Sequence, residues 1–133
     1  MNRVLVDTSA ILALLVPTDT AHEQARQEFD RLASERATLF VTSYVLVETY
    51  ALLGRRFGPA ALDRFRREFA PLLQVFWIAR EIHEKALDLL LADGRRDLSL
   101  VDAASLVVFR EERLDAIFAF DRHLVAVEAS GLV

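Results

Sequence analysis

Two aspartates each follow a short apolar run of the kind that forms a buried strand. Asp7 comes directly after Arg3–Val6, and Asp121 comes directly after residues 116–120. If both strands are parallel and central, the two carboxylates emerge at the same edge of the sheet, where parallel sheets bind their ligands. Aspartate is also a common helix N-cap, and capping is the simpler explanation for either residue taken alone.

Two further acids fall on apolar faces of predicted helices. Glu48 lies within a helix predicted over residues 44–57, on the side that carries Leu52 and other apolar residues. A carboxylate on a buried face is costly unless it is protonated, paired with a cationic side chain such as arginine, or bound to a metal. Asp102 shares a face with apolar residues too, but it stands three residues after Ser99 in a capping-box sequence, which gives it a structural role as well.

Together the four acids predict a site for a hard divalent cation. Four carboxylates brought close together repel one another and cannot all be ionised without cations. Mg²⁺ and Mn²⁺ take carboxylate and water oxygens in octahedral geometry. The chain has no cysteine, which excludes thiolate catalysis and cysteine-based zinc or iron–sulfur sites. Its three histidines show no zinc-like spacing; they are His22, His83 and His123.

Composition favours a single globular domain over residues 1–133. Hydrophobic residues make up 53% of the 133 residues, and charged residues make up an ordinary 27%. The net charge of −4 gives no general attraction for nucleic acid, so RNA binding would need a local basic patch, metal ions or a basic partner. Asp7 interrupts the apolar N-terminus, and no apolar run approaches a membrane span, so we expect a cytoplasmic protein without a signal peptide.

Helical stretches alternate with the predicted strands, which indicates an α/β protein: a three-layer sandwich with a central parallel sheet. The strands are predicted at residues 3–6, 39–41, 73–78 and 116–120, with Thr8 and Ser9 capping a helix over residues 10–15. Further helices are predicted from residue 19 or 20 to 36, at residues 44–57, 60–69 and 80–92, from the capping box at residues 99–102 to about residue 113, and from Arg122 to near Gly131.

The ordered motifs resemble the PIN domain, and more narrowly the VapC toxins of type II toxin–antitoxin pairs. The resemblance runs along the whole chain at the expected spacing. It rests on Asp7-Thr8-Ser9, on Thr42-Ser43 with Glu48, on Leu98-Ser99 with Asp102-Ala103, and on Phe118 to His123.

The resemblance implies a parallel-sheet sandwich that acts as a Mg²⁺- or Mn²⁺-dependent endoribonuclease. It places the acidic metal ligands at Asp7, Glu48, Asp102 and Asp121, with Thr8 or Ser9 beside the metal. It also implies a homodimer and inhibition by a cognate antitoxin, which often inserts a basic side chain into the acidic pocket. Some members carry a further acid where this chain has His123 and Leu124, so a second metal would be held loosely here or arrive with the substrate.

Several arginines are candidates to contact RNA phosphates, since a guanidinium group matches two phosphate oxygens. Arg55 and Arg56 follow Glu48 on the same predicted helix, and Arg122 adjoins Asp121. A solvated arginine face explains each of them equally well. A dimer surface is expected on the helices around residues 50–69, where three phenylalanines exceed the need of one small core; they are Phe57, Phe65 and Phe69.

Two other functions are compatible with parts of the pattern. A haloacid-dehalogenase-like phosphatase also has an aspartate after its first strand, but it needs a second aspartate where this chain has Ser9, and Lys85 lies badly for its lysine. A catalytically inactive PIN-like scaffold that only binds a protein partner is the other alternative. The presence of all four acids argues against that scaffold.

Overall fold

A computed structural model of the chain describes residues 2–120. It shows a four-stranded parallel sheet in the order β3-β2-β1-β4, flanked by helices. The strands are β1 (Arg3–Val6), β2 (Thr38–Thr42), β3 (Gln74–Phe76) and β4 (Ala116–Phe118). The helices are α1 (Thr8–Leu15), α2 (His22–Ser34), α3 (Ser43–Phe57), α4 (Pro59–Arg64), α5 (Arg80–Asp93) and α6 (Leu100–Glu111), and α4 continues into a π-helical turn (Phe65–Phe69) and a 3₁₀ turn (Ala70–Leu72).

The side chains of β1 separate the two helical layers. Val4 and Val6 belong to a core that α1, α2 and α3 close, whereas Leu5 packs with Val108 of α6 and with side chains of α5. Successive residues of a strand point to opposite faces, so both faces of the sheet are covered. The predicted three-layer α/β sandwich with a central parallel sheet is confirmed.

All four strands run in the same direction, so their carboxyl ends lie at one edge, called here the carboxyl edge. Leu5 pairs with Phe40 of β2 and Ile117 of β4, and β3 joins the far side of β2 through Thr42 and Phe76. The strand β1 is therefore central, and the residue that follows it lies between the ends of its two neighbours.

Local boundaries differ from the sequence predictions where a side chain caps an element. Asp7, rather than Thr8 or Ser9, is the N-cap of α1, so those two residues form the first turn of the helix. Strands β3 and β4 are each shorter than predicted and end at Phe76 and Phe118. The helix predicted to begin at Arg122 lies outside the described residues.

The aromatic residues expected at a dimer surface are mostly used inside this chain. Phe65 is buried and packs edge-on against Tyr50, and Phe69 stacks on Phe65 and contacts Phe29. Only Phe57 of the three predicted residues is largely exposed. Packing within the chain therefore accounts for much of Phe65 and Phe69, and the dimer surface around residues 50–69 stays a prediction. Within residues 2–120, no helix is long and apolar enough to cross a membrane.

Candidate active site at the carboxyl edge

Asp7 is a buried carboxylate fixed at the end of the central strand. Asp7 is only 4% exposed. Its Oδ2 accepts hydrogen bonds from the Ser9 amide at 3.2 Å and from the Ser9 hydroxyl at 2.7 Å. Its own backbone N–H donates to the Phe118 carbonyl at 3.0 Å, which ties it to β4. The capping explanation for Asp7 is thus correct, and the same hydrogen bonds hold the carboxylate in one orientation.

Ser9 connects Asp7 to the chain that leads into Asp121. While its hydroxyl donates to Asp7, its Oγ accepts a hydrogen bond from the Phe120 amide at 2.9 Å. The backbone one residue before Asp121 is therefore anchored beside the Asp7 carboxylate. Asp121 itself lies outside the described residues, and its predicted place in the site stays a prediction.

Asp102 lies in the first turn of α6 and is 7% exposed. The predicted capping box is present: the Asp102 carboxylate accepts from the Ser99 amide at 3.2 Å, and the Ser99 hydroxyl accepts from the Asp102 amide at 3.1 Å. The other end of α6 leads to the opposite edge of the sheet, where Asp115 exchanges hydrogen bonds with Arg3 at 2.7 and 2.8 Å. The helix therefore runs antiparallel to the strands and starts at the carboxyl edge.

Strand and helix geometry bring Asp7 and Asp102 to the same end of the molecule. Leu5 and Val108 meet in one core cluster, and Asp7 continues the extended conformation of β1 with φ −96° and ψ 160°. Asp7 lies two residues beyond Leu5, which is about 7 Å along the strand. Asp102 lies six residues before Val108, which is about 9 Å along the helix in the same direction. Because side chains alternate, Asp7 shares the α6 face of the sheet with Leu5.

Two buried hydroxyl groups at this edge have no hydrogen-bond partner among residues 2–120. They are Thr8 Oγ1, directly after Asp7, and Ser105 Oγ, one helical turn after Asp102. An unsatisfied buried hydroxyl costs about 1–3 kcal/mol and calls for a water or ion. Thr8 is among the residues predicted for the site, whereas Ser105 is not, because a serine three residues after a capping aspartate is ordinary in a helix.

Glu48 is less buried than the sequence analysis predicted. The buried face of α3 consists of Val45, Thr49 and Leu53, and Glu48 is only half-buried beside the exposed Val47. Glu48 therefore lies at the margin of the buried face of α3 rather than within it as the sequence had indicated, and its role in the site stays a prediction. Glu48 follows Tyr44 by one turn, and Tyr44 packs on the cluster around Ala103 at the start of α6. That spacing places Glu48 on the side of α3 that faces the start of α6.

The donor set of this edge consists of oxygen atoms. Carboxylates and hydroxyls suit Mg²⁺ or Mn²⁺ better than softer metals, so the chemistry of the available ligands fits the predicted cation. Within residues 2–120, no three histidine, cysteine, aspartate or glutamate side chains are grouped closely enough to hold a metal ion. The described residues thus supply two buried carboxylates, and a full set of ligands would draw on Glu48, Asp121 and water.

The predicted phosphate contacts are not all near this edge. Arg55 and Arg56 are exposed in the last turn of α3, about 18 Å along the helix from its first residue. Basic residues there complement the helix dipole, which is the simpler explanation for them. Arg122 lies outside the described residues. Arg95 precedes α6, but a 2.6 Å hydrogen bond from its Nε to Asp93 engages it and raises the pKa of its guanidinium group.

Comparison with known proteins gives one consistent family. The model of the PIN domain matches residues 4–129. A Mycobacterium tuberculosis protein named 23S rRNA-specific endonuclease VapC20 is 31% identical over 119 residues, which are 89% of this chain and 88% of the relative. The crystal structure of M. tuberculosis VapC20, described as a Sarcin-Ricin loop cleaving toxin, superposes with a TM-score of 0.80 at 29% identity, covering 93% of this chain and 94% of that one.

Two more distant structures share the fold. A toxin–antitoxin complex from Klebsiella pneumoniae contains a chain that aligns with a TM-score of 0.62 at 18% identity, over 85% of this chain and 82% of that one. VapBC2 from Rickettsia felis, bound to a DNA fragment from its promoter, aligns with a TM-score of 0.60 at 12% identity, over 90% and 99% of the two chains.

Proposed function

This chain belongs to the PIN domain family, and from that premise we propose that it is a divalent-metal-dependent endoribonuclease, the toxin of a toxin–antitoxin pair. The observation that carries the proposal is the buried Asp7 carboxylate, held by Ser9 at the carboxyl edge on the same face of the sheet as Asp102. The similarity to VapC20 supports RNA as the substrate, and makes 23S rRNA the first substrate to test. The match to the PIN domain accounts for the aspartate after the first strand, which was the basis of the phosphatase alternative.

The residues have distinct proposed roles. Asp7 and Asp102, with Asp121, would bind Mg²⁺ or Mn²⁺ through carboxylate oxygens, and their hydrogen bonds to Ser9 and Ser99 would keep those oxygens in place. A cation of this kind supplies Lewis acidity, which lowers the pKa of a water ligand toward neutrality. Glu48, half-exposed at the mouth of the site, would orient the attacking water.

The proposed reaction is hydrolysis by water at the RNA phosphorus. The oxygen of water forms a bond to phosphorus, the bond from phosphorus to the ribose 3′-oxygen breaks, and that oxygen takes up a proton. The products carry a 5′-phosphate and a 3′-hydroxyl. Attack by the ribose 2′-hydroxyl would instead leave a cyclic phosphate, so the product ends report which nucleophile acts.

Protein partners of this chain belong to the same proposal. A cognate antitoxin would present a basic side chain to the carboxylates of Asp7 and Asp102, because these are the two buried carboxylates of the described residues and a cation complements their charge. A homodimer is proposed from the family alone. Of the three phenylalanines predicted at the dimer surface, Phe57 is largely exposed and is free to contact a second copy of the chain.

Incubation of the purified chain with ribosomal RNA is expected to produce discrete cuts that need Mg²⁺ or Mn²⁺. Chelation with EDTA should abolish them, and added metal should restore them, since the carboxylate site acts only when it holds a cation. The measurement is gel mapping of the fragments, with ligation or phosphatase treatment to identify a 5′-phosphate. Cyclic phosphate ends would overturn the mechanism, and intact RNA together with tight antitoxin binding would favour the inactive scaffold.

Replacement of Ser9 with alanine should lower activity or metal affinity by about 10- to 100-fold, as expected when a hydrogen-bond partner of a metal ligand is removed. The variant loses both the 2.7 Å bond to Asp7 and the 2.9 Å bond from the Phe120 amide. The stability loss should be only about 1–2 kcal/mol in urea unfolding. A Ser34→Ala variant on an exposed helix end is the matched control, and equal activity of the two variants would contradict the role of Ser9.

A further inference from the structure

Trp77 is exposed in a way that core packing does not explain. It is the only tryptophan in the chain, and 71% of its surface remains accessible. When an indole ring is buried in a core or an interface, it contributes a large share of the buried apolar area and of the stabilising energy. Its immediate neighbours Phe76 and Ile78 are only half-buried, and Gln74, Ala79 and Arg80 nearby in the chain are exposed.

The backbone on both sides of Trp77 is held at the carboxyl edge. Phe76, before it, pairs with Thr42 of β2, and the amide of Ile78, after it, donates to the Ser43 hydroxyl at 2.8 Å. The strand β3 lies two positions from β1 in the sheet, which corresponds to about 10 Å. The backbone of Trp77 is therefore fixed at the same edge of the sheet as that of Asp7.

A cationic side chain accompanies the indole. Arg80 opens α5 three residues after Trp77, is exposed, and forms no ion pair among residues 2–120. By contrast, Arg31, Arg64 and Arg67 are each engaged with a nearby carboxylate on the same helical segment. Proteins hold single-stranded nucleic acid with these two residue types: an exposed aromatic ring stacks on a base, and a free cationic side chain contacts the backbone.

We propose that Trp77 and Arg80 form a base-stacking subsite for an unpaired nucleotide of the RNA, at the end of β3, whose backbone lies about 10 Å from that of β1 at the carboxyl edge. This inference rests on the proposed endoribonuclease function and deepens it. A stacked base must first leave its own helix, so the subsite selects single strands and loops over continuous duplex. The selection needs no reading of base identity, because every base has a π-face.

Because Trp77 is the only tryptophan, its fluorescence reports directly on the subsite. The probe is a single-stranded RNA of about eight nucleotides, within the range that such sites bind, added to the Asp7→Asn variant with Mg²⁺ so that binding is separated from cleavage. We expect saturable quenching by this RNA and at least tenfold weaker quenching by the same sequence as a duplex. Quenching that is equal for both, or absent while the RNA binds in a filter assay, overturns the subsite.

Kinetics of variants in the wild-type background give a second readout. Trp77→Ala should raise KM for a single-stranded substrate by about 5- to 100-fold with kcat unchanged, because stacking away from the reacting bond stabilises the ground and transition states equally. Trp77→Phe should recover most of the loss, and Arg80→Gln should raise KM less than Trp77→Ala. The matched control is Leu91→Ala, which truncates a highly exposed apolar side chain of α5 and should leave KM unchanged.

The outcomes separate this inference from the proposed function. If the wild-type chain cuts no RNA, the proposed function fails, whereas normal KM in Trp77→Ala with intact cleavage overturns the subsite alone. Light scattering of the Trp77→Ala variant completes the test. A change from dimer to monomer, or lost antitoxin binding with unchanged KM, would show that Trp77 serves a protein interface and would overturn the assignment to RNA.

Discussion

The Asp7→Asn variant is expected to lose cleavage of RNA by more than about 10³-fold in kcat, because it removes a negative charge from the position proposed to bind the cation. Asparagine has almost the same size and keeps an oxygen acceptor. It can accept the hydrogen bonds from the Ser9 amide and hydroxyl that Asp7 accepts now, and it is as good an N-cap as aspartate. The fold of the variant should therefore be intact.

Thermal unfolding with and without metal distinguishes loss of the cation from loss of the fold. Mg²⁺ or Mn²⁺ at a hundredfold excess over its Kd should stabilise the wild-type chain by about 2.7 kcal/mol, and this increment should be absent in Asp7→Asn. Without metal, the variant should unfold at the same temperature as the wild type or higher, because a neutral amide costs less to bury than the Asp7 carboxylate does.

Asp88→Asn is the matched control for this experiment. Asp88 is exposed on α5, so the same chemical change there should alter neither cleavage nor the stabilisation by metal. An Asp7→Asn variant that cuts RNA at the wild-type rate would show that the carboxylate of Asp7 only caps α1. Because both variants change the net charge by one unit, the comparison also accounts for any effect of net charge alone.

Structural features that depend only on residues close together in the chain could be predicted from the sequence. They include the strand and the capping box that position Asp7 and Asp102. The apolar run before Asp7 predicted the first strand at Arg3–Val6, and the spacing from Ser99 to Asp102 predicted the capping box. Both are local: a strand ends where polar residues begin, and a capping box needs only one helical turn. From these elements and the rule for parallel sheets, the common edge of Asp7 and Asp102 follows.

Features that depend on contacts distant in sequence were not predictable. The bond from the Phe120 amide to the Ser9 hydroxyl joins residues 111 positions apart. The unpartnered hydroxyl of Ser105 acquires significance only from the register of α6 against β1. The burial of Glu48 was overestimated for a related reason. A helical wheel shows which residues share a face, but tertiary packing decides how far neighbouring elements cover that face.

Trp77 illustrates the same limit at a strand end. The sequence predicted a strand over residues 73–78, in which Trp77 would be one more apolar strand residue. In the structure β3 ends at Phe76, at the edge of the sheet, and no element covers the following indole within residues 2–120. An apolar residue is informative when it is exposed, and exposure is a property of the fold.

Asp102 allows its two roles to be separated by a pair of variants. Asp102→Asn keeps an oxygen that can accept from the Ser99 amide, so the capping box survives while the charge is lost. Ser99→Ala does the reverse: it removes the hydroxyl that accepts from the Asp102 amide and leaves the carboxylate. We expect Asp102→Asn to lower kcat by more than about 10²-fold with little change in stability. Ser99→Ala should cost about 1 kcal/mol of stability while cleavage is largely kept.

The comparison is made by measuring cleavage rates and urea unfolding on the same two proteins. A purely structural Asp102 would give the opposite ranking, because activity would then follow stability and Ser99→Ala would be the more impaired enzyme. A double variant adds a further check. If the two side chains act independently, one through charge and the other through capping, its stability loss should equal that of Ser99→Ala and its activity loss that of Asp102→Asn. The two residues are in contact, so any departure from this result measures how far the capping box also orients the carboxylate.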